Sequence, residues 1–285
     1  MVVLVGMDVS KTIQGNQQNQ QTNQQSNTQS NTKAKYNFDR LKMYFGEPYI
    51  VKCKIGEIKI FQPTIENILL FGESKFYTML NVFIANPTSY RLQLWDWGVD
   101  WNKISDYELF CTLVKGLDVE ETYLLFGDID FKTFEIYSEK VNDIDIMTLY
   151  SEKYNIEINE EAYRCIAEYL RLMFNIYPKV EKAKGKATKE AIIDEDRMNL
   201  ASEAKKNKHS KSMLLPLISS CINHPGFKYK LNELREIGIV QFMDSVQRLQ
   251  IYESTVALNS GMYSGMCDLS KVDKKLFNFM RDIDD

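Results

Sequence analysis

The spacing of apolar positions predicts that most of the chain is helical. Between residues 36 and 178, apolar side chains recur every three to four positions in several stretches. This is the pattern of an amphipathic helix that packs one face against a core. Ser105 and Glu108 also have the spacing of a capping box, which marks a helix start. The helical stretches begin at Pro63, Pro87, Ser105 and Asn159.

Two other stretches of this part alternate between apolar and polar residues with a period near two. Residues 49–61 contain Gly56 at a turn position, and residues 131–146 show the alternation over a longer run. Both patterns are typical of short strands. The sequence therefore predicts a small β element within a mostly helical domain.

A second helical unit is predicted over residues 212–285. One helix follows Ser212, a turn falls at 223–226, and a long helix runs over 240–258. The Gly-x-Tyr-Ser-Gly sequence at 261–265 predicts a turn. A short aromatic helix then closes the chain.

Residues 179–211, between the two units, differ in composition. They include ten Lys or Arg and six Asp or Glu residues, a net charge of +4, and few apolar residues. We interpret the segment as a solvated basic linker that contains a mobile helix near 190–206. Lysines can bind nucleic-acid phosphates. Because the segment lacks the aromatic residues that stack on bases, however, nucleic acid is not favoured as a partner.

The N-terminal residues 1–35 differ from both helical units. An apolar pentapeptide, MVVLV, precedes a Gln/Asn-rich stretch over 14–32 that contains no charged, aliphatic or aromatic side chain. Such a stretch cannot bury apolar surface to offset the entropy of ordering, so we expect a disordered tether. The fold class is then mainly α with a small β element (α+β), with a main domain over 36–178 and a C-terminal helical domain over 212–285.

Composition and charge exclude several classes of protein. The net charge is −4 and the pI is about 5.5, which is unlike a wholly basic nucleic-acid binder. The mean hydropathy is −0.34, and no apolar run is long enough to span a membrane. The five cysteines are widely spaced, without a Cys-x-x-Cys pair, so the sequence predicts buried, reduced thiols instead of a zinc or thioredoxin-like site.

The sequence offers no recognisable catalytic motif. Only two histidines exist, His209 and His224, and neither a Gly-x-Ser-x-Gly nor a Gly-x-Gly-x-x-Gly motif is present. Gly185-Lys186 resembles part of a phosphate-binding loop, but Val180 stands where the first glycine is required. We therefore expect a protein without cofactor, metal or catalytic residues. Carboxylates brought together only by the fold would leave no linear motif, so this expectation rests on the sequence pattern alone.

The C-terminal sequence carries the most particular pattern of the chain. Residues 241–283 place Asp244 and Arg248 on the long helix, followed by the Gly-x-Tyr-Ser-Gly turn and an aromatic stretch. Together with residues 63–110, which begin PTIENILLFGESKFYTML, this pattern resembles tail assembly chaperones and related tail-morphogenesis proteins of long-tailed bacteriophages.

The resemblance implies a protein that acts by binding. Tail assembly chaperones bind the long, hydrophobic, helical tape-measure protein, help to recruit tail-tube subunits and are absent from the finished virion. The resemblance thus implies a non-enzymatic chaperone in the cytoplasm of the infected bacterial host, with the tape-measure or tail-tube protein as its partner. A homo-oligomer stays open, and no membrane association is expected.

The residues expected to contact a partner are mostly aromatic. All three tryptophans lie within seven residues, and Trp97 and Trp101, four positions apart, would share one face of a helix. Because tryptophan is common both in cores and at interfaces, both roles stay open. The candidates are Trp97, Trp101, Phe242, Arg248, Tyr263 and Phe279.

The alternative hypothesis is a structural virion component, such as a connector, baseplate or capsid-associated protein. The N-terminal pentapeptide, carried on its polar tether, would then be an arm that pairs with the sheet edge of a neighbouring subunit. In this hypothesis the protein stays in the virion.

Overall fold

The computed structural model describes residues 36–141, 144–206, 212–264 and 272–283. Within these ranges the protein is mainly α-helical with two small antiparallel sheets, which confirms the predicted fold class. The predicted tether over 1–35 lies outside the described residues. The helices are α1 Arg40–Tyr44, α2 Ile65–Phe71, α3 Glu73–Ile84, α4 Arg91–Asp96, α5 Asp106–Val114, α6 Val119–Phe126, α7 Glu160–Phe174, α8 Lys186–Lys206, α9 Leu214–Asn223, α10 Leu231–Glu236 and α11 Ile239–Ser264.

Within the described residues there are two separate sheets, built from β1 Tyr49–Lys52, β2 Glu57–Ile60, β3 Glu135–Val141, β4 Ile144–Ser151 and β5 Ile156–Ile158. The first is a hairpin of β1 and β2, in which Tyr49 lies opposite Ile60. The second has the order β3-β4-β5, with Leu149 of β4 opposite Ile158 of β5. The strand β5 lies outside the two stretches that the alternation predicted.

The tip of the first hairpin joins the two sheets. The backbone amide of Glu157 in β5 donates to the carbonyl of Ile55, 2.9 Å away. Gly56 adopts a φ of +73°, and a Cβ at this position would lie 2.7 Å from the Asn155 carbonyl oxygen. Only glycine fits both the left-handed backbone and the close approach.

The core is dominated by aromatic rings that helices bring together from distant parts of the sequence. Phe83 of α3 lies with its ring centroid 4.5–5.7 Å from those of Phe110, Phe126 and Phe131, within the range of favourable aromatic pairs. The same buried cluster continues into the C-terminal helices, where it includes Phe242. The apolar spacing that predicted the helices thus identifies the faces that pack together.

Side-chain caps fix the helix starts that the sequence predicted. Ser105 Oγ accepts from the Glu108 amide at 3.1 Å, and Glu108 Oε2 accepts from the Ser105 amide at 2.7 Å, completing the capping box. Asn159 Oδ1 accepts from the Ala162 amide at 2.9 Å at the start of α7. Asn175, with a φ of +52°, ends α7, because asparagine tolerates the left-handed conformation better than most residues.

The C-terminal helices are attached to the main domain by backbone pairing. The Ile65 amide donates to the Ile237 carbonyl at 3.2 Å, and the Ile239 amide donates to the Pro63 carbonyl at 3.0 Å. These bonds fix the start of α11 beside the start of α2. The two predicted helical units therefore pack against each other through a continuous core.

The segment after α7 differs from the solvated linker that its composition predicts. The helix expected near 190–206 is present as α8, but it is docked on α4. Ile193 and Ala183 are buried, and ion pairs with residues near α4 hold the charged surface of α8 in place. Composition does not reveal this docking, because the partners lie far away in the sequence. Residues 207–211 lie outside the described ranges.

Two local predictions are wrong. α4 ends at Asp96, with Gly98 at a φ of +74° just beyond it, so Trp97 and Trp101 do not share a helix face. α11 continues to Ser264, through most of the predicted turn. A glycine costs about 1 kcal/mol in a helix but is tolerated there, and Gly261 is such a case.

Candidate functional site

The structure divides the aromatic candidate residues into buried and exposed groups. Trp101 is 3% exposed and Phe242 is 0% exposed, so both belong to the core. Trp97 is 46%, Phe279 51% and Tyr263 84% exposed. In this conformation a partner can reach only the exposed group.

Tyr263 belongs to an exposed apolar surface along the C-terminal half of α11. Tyr252, Val256 and Tyr263 follow one another at spacings of four and seven residues, which places them on one side of the helix, and all three are exposed. The ring of Phe279 packs edge-on against that of Tyr252, with 6.1 Å between centroids. Met280, next in sequence, is also exposed. These five residues are named the α11 stripe below.

Arg248, the sixth candidate, holds the C-terminal segment against α11. Its Nη1 donates to the Arg281 carbonyl at 2.6 Å, and its Nε lies 3.8 Å from the Asp244 carboxylate. Thr255 Oγ1 donates to the Leu276 carbonyl at 3.1 Å. Burial raises the pKa of Asp244, and the charge of Arg248 partly opposes this shift. These contacts fix the position of the C-terminal part of the α11 stripe.

The tryptophan cluster contacts the segment that follows α7. Trp95 and Trp101 pack with 6.0 Å between ring centroids, and Trp101 Nε1 donates to the Glu181 carbonyl at 3.3 Å. Lys189 of α8 places its ammonium 5.5 Å from the Trp101 ring centroid, which allows a cation–π contact. Trp101 thus joins α8 and its preceding segment to the core.

Ion pairs between α8 and the region of α4 complete this attachment, and we name them the α8 clasp. Arg91 donates to both carboxylate oxygens of Asp196, at 2.6 and 2.7 Å, and also pairs with Glu181. Lys189 Nζ lies 2.6 Å from the Asp100 carboxylate. The hydrogen bonds that Arg91 donates to Asp196 raise the pKa of Arg91. The bond donated by Lys189 lowers the pKa of Asp100.

The surface of the described residues has at least two cavities. One, of about 490 Å³, lies between residues 180–182, α7 and the start of α5. Its lining includes Tyr163 and Asn102, whose Oη and Oδ1 atoms are buried without a hydrogen-bond partner among the described residues. The other, of about 630 Å³, lies beside β2 and α6 and is lined by Phe61 and Tyr123.

The largest pKa shifts among the described cysteines and tyrosines follow from burial. Burial raises the pKa of Cys111 to about 11 and that of Tyr90 to about 12. A thiol with a raised pKa is a poor nucleophile at neutral pH.

The histidine of the C-terminal helices has a structural role. His224 Nε2 lies 3.0 Å from the Glu253 carboxylate, and its Nδ1 accepts a hydrogen bond from the Gly226 amide. These contacts attach the turn after α9 to α11. In the described part of the chain, no three His, Cys, Asp or Glu side chains are grouped to hold a metal ion.

None of the helices in the described ranges combines the length and the apolar character of a membrane span. No family model, curated protein or solved structure matches the chain.

Sequence reasoning missed the α8 clasp and the cavity beside it. Arg91 and Asp196 are 105 positions apart, and each looks like an ordinary surface charge in its own neighbourhood. The pair Ile192-Ile193, inside an otherwise charged stretch, is the one local signal that α8 has a buried side.

Proposed function

We propose that this protein is a non-enzymatic binding protein of bacteriophage tail assembly, which acts as a chaperone for the tape-measure or tail-tube protein. The phage assignment rests on the resemblance of residues 63–110 and 241–283 to tail assembly chaperones. The α11 stripe is the observation that carries the binding role, because it is an apolar surface open to a partner.

The dimensions of the α11 stripe suit a helical partner. From Tyr252 to Tyr263 the helix rises by about 17 Å, or three turns. An amphipathic helix with apolar residues at positions i, i+3, i+4 and i+7 could place that face along the stripe, as helices do in other apolar binding surfaces. The exposed, flexible side chain of Met280 can adapt to partners of varied sequence.

The stripe is also held in place before a partner binds. Arg248 and Thr255 fasten the C-terminal segment to α11 by bonds to backbone carbonyls, so Phe279 stays beside Tyr252. A preformed surface loses less side-chain entropy on binding. This suits a chaperone that must shield apolar helices until they assemble.

Co-expression with fragments of the tape-measure protein tests the proposal. We expect the wild-type protein to raise the soluble fraction of at least one apolar helical fragment. Tyr263→Glu, which places a charge in the stripe, should abolish this effect. Tyr123→Glu is the matched control, because Tyr123 is an exposed tyrosine on α6, outside the stripe.

Two results would count against the proposal. If co-expression leaves the solubility of every fragment of the tape-measure protein unchanged, this would argue against a chaperone. Equal activity of the Tyr263→Glu and wild-type proteins would argue against the stripe as the binding surface.

A further inference from the structure

Residues 179–183, named the strap below, are held through their backbone by side chains of the main domain. The Lys179 carbonyl accepts from Asn86 Nδ2 at 2.7 Å, and the Ala183 carbonyl accepts from Asn102 Nδ2 at 2.7 Å. These two carbonyls, four residues apart, both face the main domain, as they would in an extended strand.

The middle of the strap makes the densest contacts. Thr88 Oγ1 donates to the Glu181 carbonyl at 3.3 Å and accepts from the Glu181 amide at 3.1 Å. Trp101 Nε1 donates to the same carbonyl at 3.3 Å. Asn86, Thr88, Trp101 and Asn102 thus form a groove that recognises main-chain groups, and we name them the groove residues.

The side chains of the strap add limited selectivity. Ala183 is 6% exposed, so a small residue is required at its position, whereas Val180 and Lys182 point to solvent. The Glu181 carboxylate pairs with Arg91. The groove therefore fits an extended peptide that has an acidic residue two positions before alanine or another small residue.

We propose that the groove is a peptide-binding site, and that the strap is an internal ligand which a partner segment of this chemistry displaces. This inference is independent of the chaperone role assigned to the α11 stripe. Main-chain recognition of an extended segment does not depend on most of its side chains, so a segment from another chain can replace the strap.

The surroundings of the strap favour its exchange. The cavity of about 490 Å³ lies against residues 180–182, and the Tyr163 Oη and Asn102 Oδ1 atoms in its lining have no hydrogen-bond partner among the described residues. The strap itself buries only one side chain fully, so it can open locally without unfolding the core.

The test uses the full-length chain with Glu181→Pro. Proline has no backbone N–H, so the hydrogen bond from residue 181 to Thr88 Oγ1 is lost. Every groove residue is left unchanged. Glu181→Ala is the matched control, because it also loses the Arg91 pair but keeps the amide. The probe is a fluorescein-labelled peptide of residues 177–184 (YPKVEKAK), with binding followed by anisotropy.

We expect the peptide to bind Glu181→Pro about tenfold or more tightly than the wild type or Glu181→Ala, since a tethered strap competes at a millimolar effective concentration. Adding Asn102→Ala to Glu181→Pro should abolish the binding. Trypsin cleavage at Lys179 and Lys182, together with tryptophan emission, shows whether the strap has left the groove. All three tryptophans lie at positions 95–101, beside the groove.

Two results with a folded Glu181→Pro protein would overturn the proposal. One is an open strap without tighter peptide binding, and the other is a strap that stays as closed as in the wild type. If this variant does not fold, hydrogen exchange of the wild-type protein decides. If the Glu181 amide exchanges through a local opening, faster than the amides of α7, the proposal is supported. If it exchanges only through global unfolding, the proposal is overturned.

Discussion

The Arg91 guanidinium and the Asp196 carboxylate form a bidentate ion pair, with Nε to Oδ2 at 2.6 Å and Nη2 to Oδ1 at 2.7 Å. Both side chains are largely shielded from solvent. This geometry gives stronger and more directional bonds than a single contact between charges. The pair joins α4 to α8 and helps to hold the charged helix α8 against the main domain.

Breaking this pair should destabilise the protein measurably. We expect Asp196→Asn to lower the free energy of unfolding by about 1.5–3 kcal/mol, the order of a hydrogen bond to a charged group. Urea unfolding gives the value, and a double-mutant cycle with Arg91→Gln isolates the coupling. Asp194→Asn, at an exposed position on the same helix, is the control and should be neutral. A coupling energy near zero would show that the pair does not hold α8.

The Asp100–Lys189 pair should make the α8 clasp sensitive to acid. The Lys189 bond lowers the pKa of Asp100 in the folded state, below its unfolded value of about 3.9. The pair's contribution is therefore fully present above that unfolded value and is lost as the pH falls through the lower, folded pKa. Below about pH 4 the wild type should lose more unfolding free energy than Asp100→Asn. Parallel stability curves for the two proteins, from urea unfolding followed by tryptophan emission, would contradict this account.

Glu73 should couple the C-terminal helices to α3. Its Oε1 accepts from the amides of Met213 and Leu214 at 2.6 and 2.8 Å, and its Oε2 accepts from Ser212 Oγ at 2.5 Å. A carboxylate at this position also complements the dipole at the start of α9. Glu73→Gln should lower the unfolding free energy by about 1–2 kcal/mol.

Hydrogen exchange identifies where this effect acts. The amides of Met213 and Leu214 should exchange faster in Glu73→Gln, whereas amides of α7 should follow only the global change. Glu66→Gln is the control, because Glu66 pairs with the exposed Arg235 at 3.5 Å, and exposed pairs contribute little. Unchanged exchange at the start of α9 would show that Glu73 does not anchor it.

Two leucines on neighbouring helices test the assignment of the core. Leu80 on α3 is 0% exposed and Leu70 on α2 is 80% exposed. Leu80→Ala should cost about 2–5 kcal/mol of unfolding free energy, because it leaves a cavity in the core. Leu70→Ala should change it by less than about 0.5 kcal/mol. Similar urea midpoints for the two variants would contradict the packing described for α3.

The parts of the fold that the sequence predicted are those set by local patterns. The apolar faces of α3 and α7, the capping box at Ser105 and the hairpin turn at Gly56 each follow from residues a few positions apart. The spacing of three to four or of two residues is enough to determine such elements. The end of α4 could not be predicted in this way, because Gly98 ends the helical pattern inside the tryptophan cluster at 95–101, whose spacing looks helical.

The candidate site was predictable only in part. Trp97 and Phe279 are exposed, whereas Trp101 and Phe242, which are of the same two residue types, are buried, because aromatic residues suit both cores and interfaces. The strap contacts join residues about 80–93 positions apart. Thr88 and Asn102 show nothing in their local sequence that marks them as groups recognising a backbone.

The chaperone proposal is tested most directly by mass spectrometry of two samples from an infected culture. One sample is the purified virion, and the other is an affinity pull-down of this protein from cells late in infection. We predict that the protein is missing from virions and that the pull-down contains the tape-measure or tail-tube protein. Its presence in virions at a fixed copy number would contradict the proposal and favour a structural component of the particle.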